Sequence, residues 1–325
     1  MTKSIKRIGI LTSGGDAPGM NAAIRALVRG ASNKKVECLG IRRGYNGLIN
    51  GDVIKLDSHA VSKIIASGGT MLHTARSPEF TTDAGVEKAV VSCRYMGIDA
   101  VVVIGGDGTF KGARDLSERG VPVIGIPATI DNDIACTDYT IGFDTACNTA
   151  VECVDKLRDT MQSHDRISVV EVMGRNSGYL ALYVGMAIGA GAILIPEREV
   201  NFEEQVTDEI REARIDGRHH FIVIVAEGAA SASDIGKRIH EEIGIEPRVT
   251  ILGHIQRGGS PTARDRVMAS RMGLHAIDTL LDGRYNKLVV GSDGNITDMD
   301  ISEGLAMVKE MDQDMYEACM TISKG

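Results

Sequence analysis

At 325 residues the chain is longer than one hydrophobic core usually supports, so two lobes are expected. Tryptophan is absent and aromatics make up only 4% of residues, which leaves Val, Ile, Leu, Ala and Met to fill the cores, as in parallel sheets covered by helices. A formal net charge of −8 argues against nucleic acid as the main partner, because phosphate backbones repel acidic proteins.

The first apolar run, Ile8 to Leu11, is too short for a signal-peptide core and leads into the glycine loop Thr12-Ser13-Gly14-Gly15-Asp16-Ala17-Pro18-Gly19. A helix follows with Ala22, Ala23, Ile24, Leu27 and Val28 on its apolar side. Strand, glycine loop and helix start together make a phosphate cradle, since backbone N–H groups and the helix N-terminus both favour an anion. The spacing is neither a Walker A nor a dinucleotide fingerprint, and a plain tight turn reads the same way. Arg25 and Arg29 share a helix face, which is equally a solvated basic face. A second small-residue loop, Ser67 to Arg76, is a nucleotide contact or an ordinary loop.

The strand Ala100 to Ile104 breaks into Gly105-Gly106-Asp107-Gly108-Thr109, with a helix expected from Phe110 to Glu118. A carboxylate beside phosphate-binding amides would repel the phosphate unless a cation lies between them. Asp107 therefore predicts Mg²⁺ held mainly by phosphate oxygens and water, the alternative being a helix cap. The buried run Val121 to Ile126 then ends in Pro127-Ala128-Thr129-Ile130-Asp131-Asn132-Asp133, two carboxylates, an amide and a hydroxyl at the carboxyl end of a strand. Ligands of open parallel sheets lie there, although any one of these residues is also at home in an Asx turn.

From Tyr139 a long amphipathic helix is expected, with Ala146, Ala150, Cys153, Val154, Leu157 and Met161 in its stripe and Arg158 outside it. The strand Ile167 to Val172 lies between Arg166 and Met173-Gly174-Arg175 and opens the second lobe. Tyr179 to Ile195 lacks charge, but glycines interrupt it and Pro196 ends it, so it reads as a buried helix followed by the strand Ala192 to Ile195. A helix from about Glu203 to Arg214 precedes the strand Phe221 to Ala226, which ends at Glu227-Gly228. Another strand starts at Arg248 and runs toward His254, Gln256 and Arg257, and helices around Ala263 to Leu281 and Gly304 to Thr321 cover the sheets. The six cysteines show no C-x-x-C pair and no zinc spacing, so they read as reduced thiols of a cytoplasmic protein.

Arg166, Arg175, Arg248, His254 and Arg257 all fall at strand ends of an acidic chain. Singly they are solvated ion-pair formers, but together they predict a second anionic ligand facing the first. Two phosphorylated ligands mean phosphoryl transfer, for which a cradle, a metal carboxylate, an arginine and a hydroxyl acceptor are all present.

The stretches LTSGGDAPGMN, IGGDGT, PATIDND, VEVMGR and LGHIQRGGSP resemble, in order and over nearly the whole chain, the bacterial 6-phosphofructokinases. The resemblance implies an α/β fold of two lobes, each a mostly parallel β-sheet sandwiched between helices. The ATP-binding lobe would be 1–139 plus 254–302, and the fructose-6-phosphate and effector lobe 140–253 plus 303–325. It implies transfer of the ATP γ-phosphoryl group to the 1-hydroxyl of fructose 6-phosphate with Mg²⁺, by a homotetramer that needs neither nucleic acid nor membrane. Asp131 would be the base, Thr129 and Ile130 would line the sugar site, and Asp107 and Asp133 would serve the metal. Gly15, Arg76, Ser77, Gly106, Gly108 and Thr109 would contact ATP, and Arg175 would stabilise the moving phosphoryl group. Met173, Gly174 and Glu227 would hold the sugar. The 6-phosphate would meet the His254-Ile255-Gln256-Arg257 segment, with Arg166 and Arg248 from a neighbouring subunit.

Arg25, Arg29, Arg158 and Arg218 match effector-site cations of the family. Ser58, Gly191 and Asp216 depart from it, standing where an arginine, a glutamate and a lysine are usual. Gly108 and Ala128 stand where diphosphate-dependent relatives typically carry Asp and Lys, which implies ATP as donor. A diphosphate-dependent enzyme, another GGDG-containing kinase and a non-catalytic sugar-phosphate sensor are the competing readings.

Overall fold

The computed structural model describes residues 5–162, 166–217 and 220–323. Its first elements are β1 (Arg7–Thr12), α1 (Met20–Asn33), β2 (Glu37–Ile41), α2 (Gly44–Asn50), β3 (Val53–Leu56), α3 (Asp83–Met96), β4 (Ala100–Gly105) and α4 (Asp107–Glu118). Next come β5 (Val123–Thr129), β6 (Ile141–Gly142), α5 (Phe143–Gln162), β7 (Ile167–Val172), α6 (Tyr179–Ile188), β8 (Ala192–Leu194), α7 (Glu209–Ile215) and β9 (Phe221–Ala226). The chain ends with α8 (Ala232–Ile243), β10 (Arg248–Ile251), α9 (Ala263–Leu281), β11 (Lys287–Ser292), β12 (Asn295–Asp300), α10 (Ile301–Ala306) and α11 (Gln313–Ser323).

Two compact units result. The first comprises Met1–Thr129, Ile134–Thr145 and Arg257–Lys309, and the second Ile130–Asp133, Ala146–Gln256 and Glu310–Gly325. Compared with the boundaries read from sequence, 140–145 and 303–309 join the first unit, while 130–133 and 254–256 join the second. Bonding explains the first two shifts. Thr140 Oγ1 donates to the Thr129 carbonyl at 2.7 Å, and Lys309 Nζ donates to the Thr137 carbonyl at 3.0 Å.

The sheet of the first unit runs β12-β11-β5-β4-β1-β2-β3, with β6 paired to the end of β5. Its ladders are parallel except at the two margins, β2–β3 and β11–β12. Every residue of β4 is buried, as expected of a strand covered on both faces. The β11–β12 hairpin turns on Asp293-Gly294, both left-handed, and this Asp-Gly signal was overlooked in the sequence. The second unit has a four-stranded sheet, β10-β7-β9-β8, parallel throughout. Val169, Val223 and Phe202 pack in its core, and Leu11, Val103, Phe110 and Leu288 in that of the first unit.

Several expectations need correction. Helix α4 starts at Asp107 rather than Phe110, because Gly106 is its N-cap and its carbonyl accepts from the Thr109 and Phe110 amides. Strand β5 runs on through Pro127-Ala128 to Thr129, held by pairing with β4 and β6. The expected final helix is two, α10 and α11, and the 203–214 helix begins as a π-helical turn at Glu203–Asp208. Cys153 and Leu157 of α5 are half-buried rather than core, and the Met161 side chain lies outside the described residues. All six cysteines are free thiols. Among the described residues no helix is long and apolar enough to cross a membrane.

Candidate active site

In the first unit the chain leaves β1 in one direction across the sheet, to β2 and β3, and in the other through β4 and β5. The order therefore reverses between β1 and β4, and the crevice outside the carboxyl ends at such a switch point is where open α/β sheets bind ligands. The loops bordering it are Ser13-Gly14-Gly15 after β1 and Gly105-Gly106-Asp107 after β4. They lie against each other: the Ser13 amide donates to the Ile104 carbonyl at 3.0 Å, and Thr109 Oγ1 donates to the Ser13 carbonyl at 3.1 Å. A Cβ on Gly105 would sit 2.4 Å from the Ser13 oxygen, so only glycine permits this approach.

Gly14, Gly15 and Gly108 are exposed, and a Cβ on Gly108 would meet nothing within 4 Å. The start of α4 thus offers open backbone amides and a helix N-terminus to an anion. Asp107 lies in that first turn, half-exposed, with its carboxylate 2.7 Å from Lys111 Nζ. Gly106, not Asp107, occupies the N-cap position, so capping does not explain the carboxylate. Among the described residues no three His, Cys, Asp or Glu side chains converge on a metal. One accessible carboxylate beside a phosphate cradle fits Mg²⁺ carried in by a phosphorylated ligand, and does not fit a protein-caged ion.

The loop from Ser67 to Arg76 is fastened to the same region. Asn21 Nδ2 donates to the Ser67 and Gly68 carbonyls, and Asn21 Oδ1 accepts from the Met71 amide at 2.8 Å. Arg76 is exposed and Ser77 half-buried. The Arg257 guanidinium lies on the side of Gly15 where a side chain would project, so that a Cβ there would lie 2.7 Å from Nη1. Arg257 therefore sits with the β1 loop, in the first unit, whereas His254 belongs to the second.

Thr129 is the last residue of β5, and Ile130, Asp131 and Asn132 beyond it are buried, Asp131 to 8% exposure. Asn132 adopts a left-handed φ of 48°, a conformation asparagine tolerates, and Asp133 is half-buried.

In the second unit the carboxyl ends of β7, β9 and β10 bring together Met173-Gly174-Arg175, Glu227 and the Gly253–Gln256 turn. Gln256, fully buried, is the clasp: its Oε1 accepts from the Met173 amide at 3.3 Å and its Nε2 donates to the Gly253 carbonyl at 3.0 Å. Arg175 is left-handed at φ 56°, and its amide donates to Glu227 Oε1 at 2.8 Å. His254 and Ile255 remain exposed. Arg166 and Arg248 do not join this group. They lie at the amino ends of β7 and β10, which pair in parallel with Arg248 opposite Ser168. The five cations read as one set at strand ends thus occupy opposite ends of one sheet or different units.

The expected effector residues are also divided. Arg25 and Arg29 are on α1 in the first unit, Arg158 on α5 in the second, and Arg218 lies outside the described residues. Arg158 Nη2 donates to the Ile188 carbonyl at the end of α6. Ser58 is half-buried and Asp216 exposed. At Gly191 a Cβ would lie 2.3 Å from Phe221 Cε2, so the Phe221 ring fills the place of a side chain there.

A model of the phosphofructokinase family matches residues 7–280. The chain belongs to the phosphofructokinase family. Among curated proteins, the ATP-dependent 6-phosphofructokinase of Clostridium botulinum (strain Hall) is 53% identical over 98% of this chain and 100% of its own length. That of Clostridium tetani is 52% identical over 98% of this chain and 100% of its own length. The solved structure of phosphofructokinase from Saccharomyces cerevisiae superposes with a TM-score of 0.87 at 34% identity, covering 98% of this chain. This chain spans 48% of the yeast chain.

This phosphofructokinase also holds supporting residues that sequence reasoning passed over. Tyr45 stacks on Phe80, with ring centroids 4.0 Å apart, and its hydroxyl donates to the Thr109 carbonyl at 2.5 Å, steadying the first turn of α4. Burial pushes that phenol well above the usual tyrosine range, so it stays a donor. Asp265 is the second, fully buried at the start of α9. The Thr262-x-x-Asp265 spacing of a capping box was its signal.

Proposed function

We propose that this chain is an ATP-dependent 6-phosphofructokinase of glycolysis, acting in the cytoplasm. It transfers the γ-phosphoryl group of ATP to the 1-hydroxyl of fructose 6-phosphate, giving fructose 1,6-bisphosphate and ADP. The observation that carries this reading is the switch-point crevice between β1 and β4, bordered by two glycine loops and the accessible carboxylate of Asp107 in the first turn of α4.

Gly15, Gly106, Gly108 and Thr109 receive the ATP phosphates through backbone N–H groups, with Arg76 and Ser77 from the neighbouring loop. Asp107 and Asp133 are the carboxylates for Mg²⁺, which when bound neutralises phosphate charge. Thr129 and Ile130 line the sugar, and Asp131 takes the proton of the 1-hydroxyl as its oxygen bonds to the γ-phosphorus and the bond to the ADP oxygen breaks. Asp131 is almost dry, so little water competes for that proton. Arg175 meets the charge on the moving group, the one point where an arginine acts in the transition state. Met173, Gly174 and Glu227 hold the sugar. His254, Ile255, Gln256 and Arg257 belong to the 6-phosphate end, where Arg166 and Arg248 of a second copy complete it in a homotetramer.

A coupled assay with fructose 6-phosphate tests the reading: ATP should support turnover and diphosphate should be a poor donor. The open space at Gly108 supports this order, because an aspartate there would project charge toward the cradle. Diphosphate turnover equal to that with ATP would reverse the donor assignment.

Effector control is the next expectation. Two cations are missing, at Ser58 and Asp216, and each lost charged hydrogen bond costs roughly 1.5–3 kcal/mol. The Phe221 ring leaves no place for a metal-binding carboxylate at Gly191. Mg-ADP should activate weakly or not at all, and phosphoenolpyruvate should inhibit bluntly, when each is titrated at subsaturating fructose 6-phosphate. Strong Mg²⁺-dependent activation by ADP would contradict this.

A further inference from the structure

We propose that Asp265 is a positioning residue for the phosphoryl transfer, setting the carboxyl end of β5 and, through it, the approach of Asp131 to the acceptor hydroxyl. The inference rests on the reaction assigned above. Asp265 is fully buried, yet its carboxylate accepts four hydrogen bonds from the segment that follows the Asp131 turn. Oδ1 accepts from the Tyr139 hydroxyl at 2.5 Å and the Gly142 amide at 2.7 Å. Oδ2 accepts from the Thr145 amide at 2.8 Å and the Thr145 hydroxyl at 2.5 Å.

Those donors lie within β6 and on either side of it, and β6 fixes the last two residues of β5, pairing Ala128 with Ile141 and Thr129 with Gly142. Thr140 Oγ1 adds a bond to the Thr129 carbonyl at 2.7 Å. The other side of β6 touches the β1 loop. A Cβ on Gly142 would lie 2.6 Å from the Ala17 Cβ, and a Cβ on Gly19 would lie 2.6 Å from an Ile141 methyl and 3.6 Å from the Asp265 Cβ. One carboxylate therefore registers the strand end that leads into the acceptor base against the loop that cradles the donor. The N3 acid of a capping box would ordinarily turn back to its own N-cap amide. Here Thr262 caps the Asp265 amide at 3.2 Å while the acid itself is committed to the 139–145 segment. Two separate roles have been divided between the two residues.

Asp265→Asn is the informative change, since either orientation of the amide sets an NH₂ against a backbone N–H, that of Gly142 or that of Thr145. We expect kcat to fall roughly 10- to 100-fold with KM for both substrates within about threefold, because misplacement costs the transition state rather than ground-state binding. Amide hydrogen exchange of the 128–133 peptide should quicken in the same variant. If Asp265→Asn does not fold, Tyr139→Phe, which removes one side-chain donor to Asp265, carries the test with a smaller change of the same sign. A lowered melting temperature with wild-type kcat and wild-type exchange at 128–133 would overturn the proposal, leaving Asp265 a purely structural group. Should the unmodified protein show no transfer at all, quickened exchange would still uphold the link from Asp265 to the Asp131 turn, and unchanged exchange would refute it.

Discussion

Asp131→Asn should lower kcat by roughly 10²- to 10⁴-fold, the range for loss of a positioned general base, while fructose 6-phosphate binding changes little. The carboxylate matters chiefly as the hydroxyl becomes a nucleophile, so its removal is felt in the transition state and hardly before it. Asparagine is close to isosteric, and at 8% exposure the site has little room to admit a substitute water base. Steady-state kinetics at saturating ATP, paired with equilibrium dialysis of fructose 6-phosphate, separates the two quantities. A variant that turns over at the wild-type rate would remove Asp131 from the mechanism. One that loses affinity and rate together would make it a binding group instead.

Much of the architecture was legible because the chain is written in long apolar runs. β4 and β9, buried at every residue, and β7, nearly so, could hardly be anything but covered strands, and the glycine-rich stretches after β1 and β4 marked the functional edge. What stayed hidden depends on pairing and neighbours. β2 and β3 lie toward the margin of the sheet with half-buried residues, so neither their composition nor their alternation is strong. Helix α8 buries only Ala232, Ile235, Gly236 and Ile239, a narrow stripe between charged residues, and was passed over. Gly106 concealed the start of α4, since a glycine at that place reads as loop until its carbonyl is seen to accept from the amides that follow. The arginines illustrate the limit best. Sequence shows that Arg166 precedes an apolar run and Arg175 follows it, but only the parallel register of β10 on β7 puts Arg248 beside Arg166 and away from His254.

That division leads to the second large effect. β7 spans Ile167–Val172, and at about 3.3 Å per residue its two ends are roughly 20 Å apart, too far for Arg166 and Arg175 to grip one sugar phosphate within a copy. If Arg166 and Arg248 bind the 6-phosphate, they bind it for a neighbour. Arg248→Ala should then raise KM for fructose 6-phosphate roughly 10- to 150-fold, the equivalent of one charge-assisted hydrogen bond, with kcat nearly intact. Mixing that variant with Asp131→Asn gives the decisive result. In a hybrid pair, one site combines Asp131 from the first variant with Arg248 from the second and is complete, while the other carries both defects. Random reassortment about a two-fold axis should therefore restore about one quarter of the sites to wild-type KM and turnover. Each parent alone lacks such sites, so activity at low fructose 6-phosphate should rise after the two are dissociated and reassembled together. If the mixture never exceeds the sum of its parents although hybrids are seen to form, each site is built from one copy, and the arginines at the amino ends of β7 and β10 serve something else.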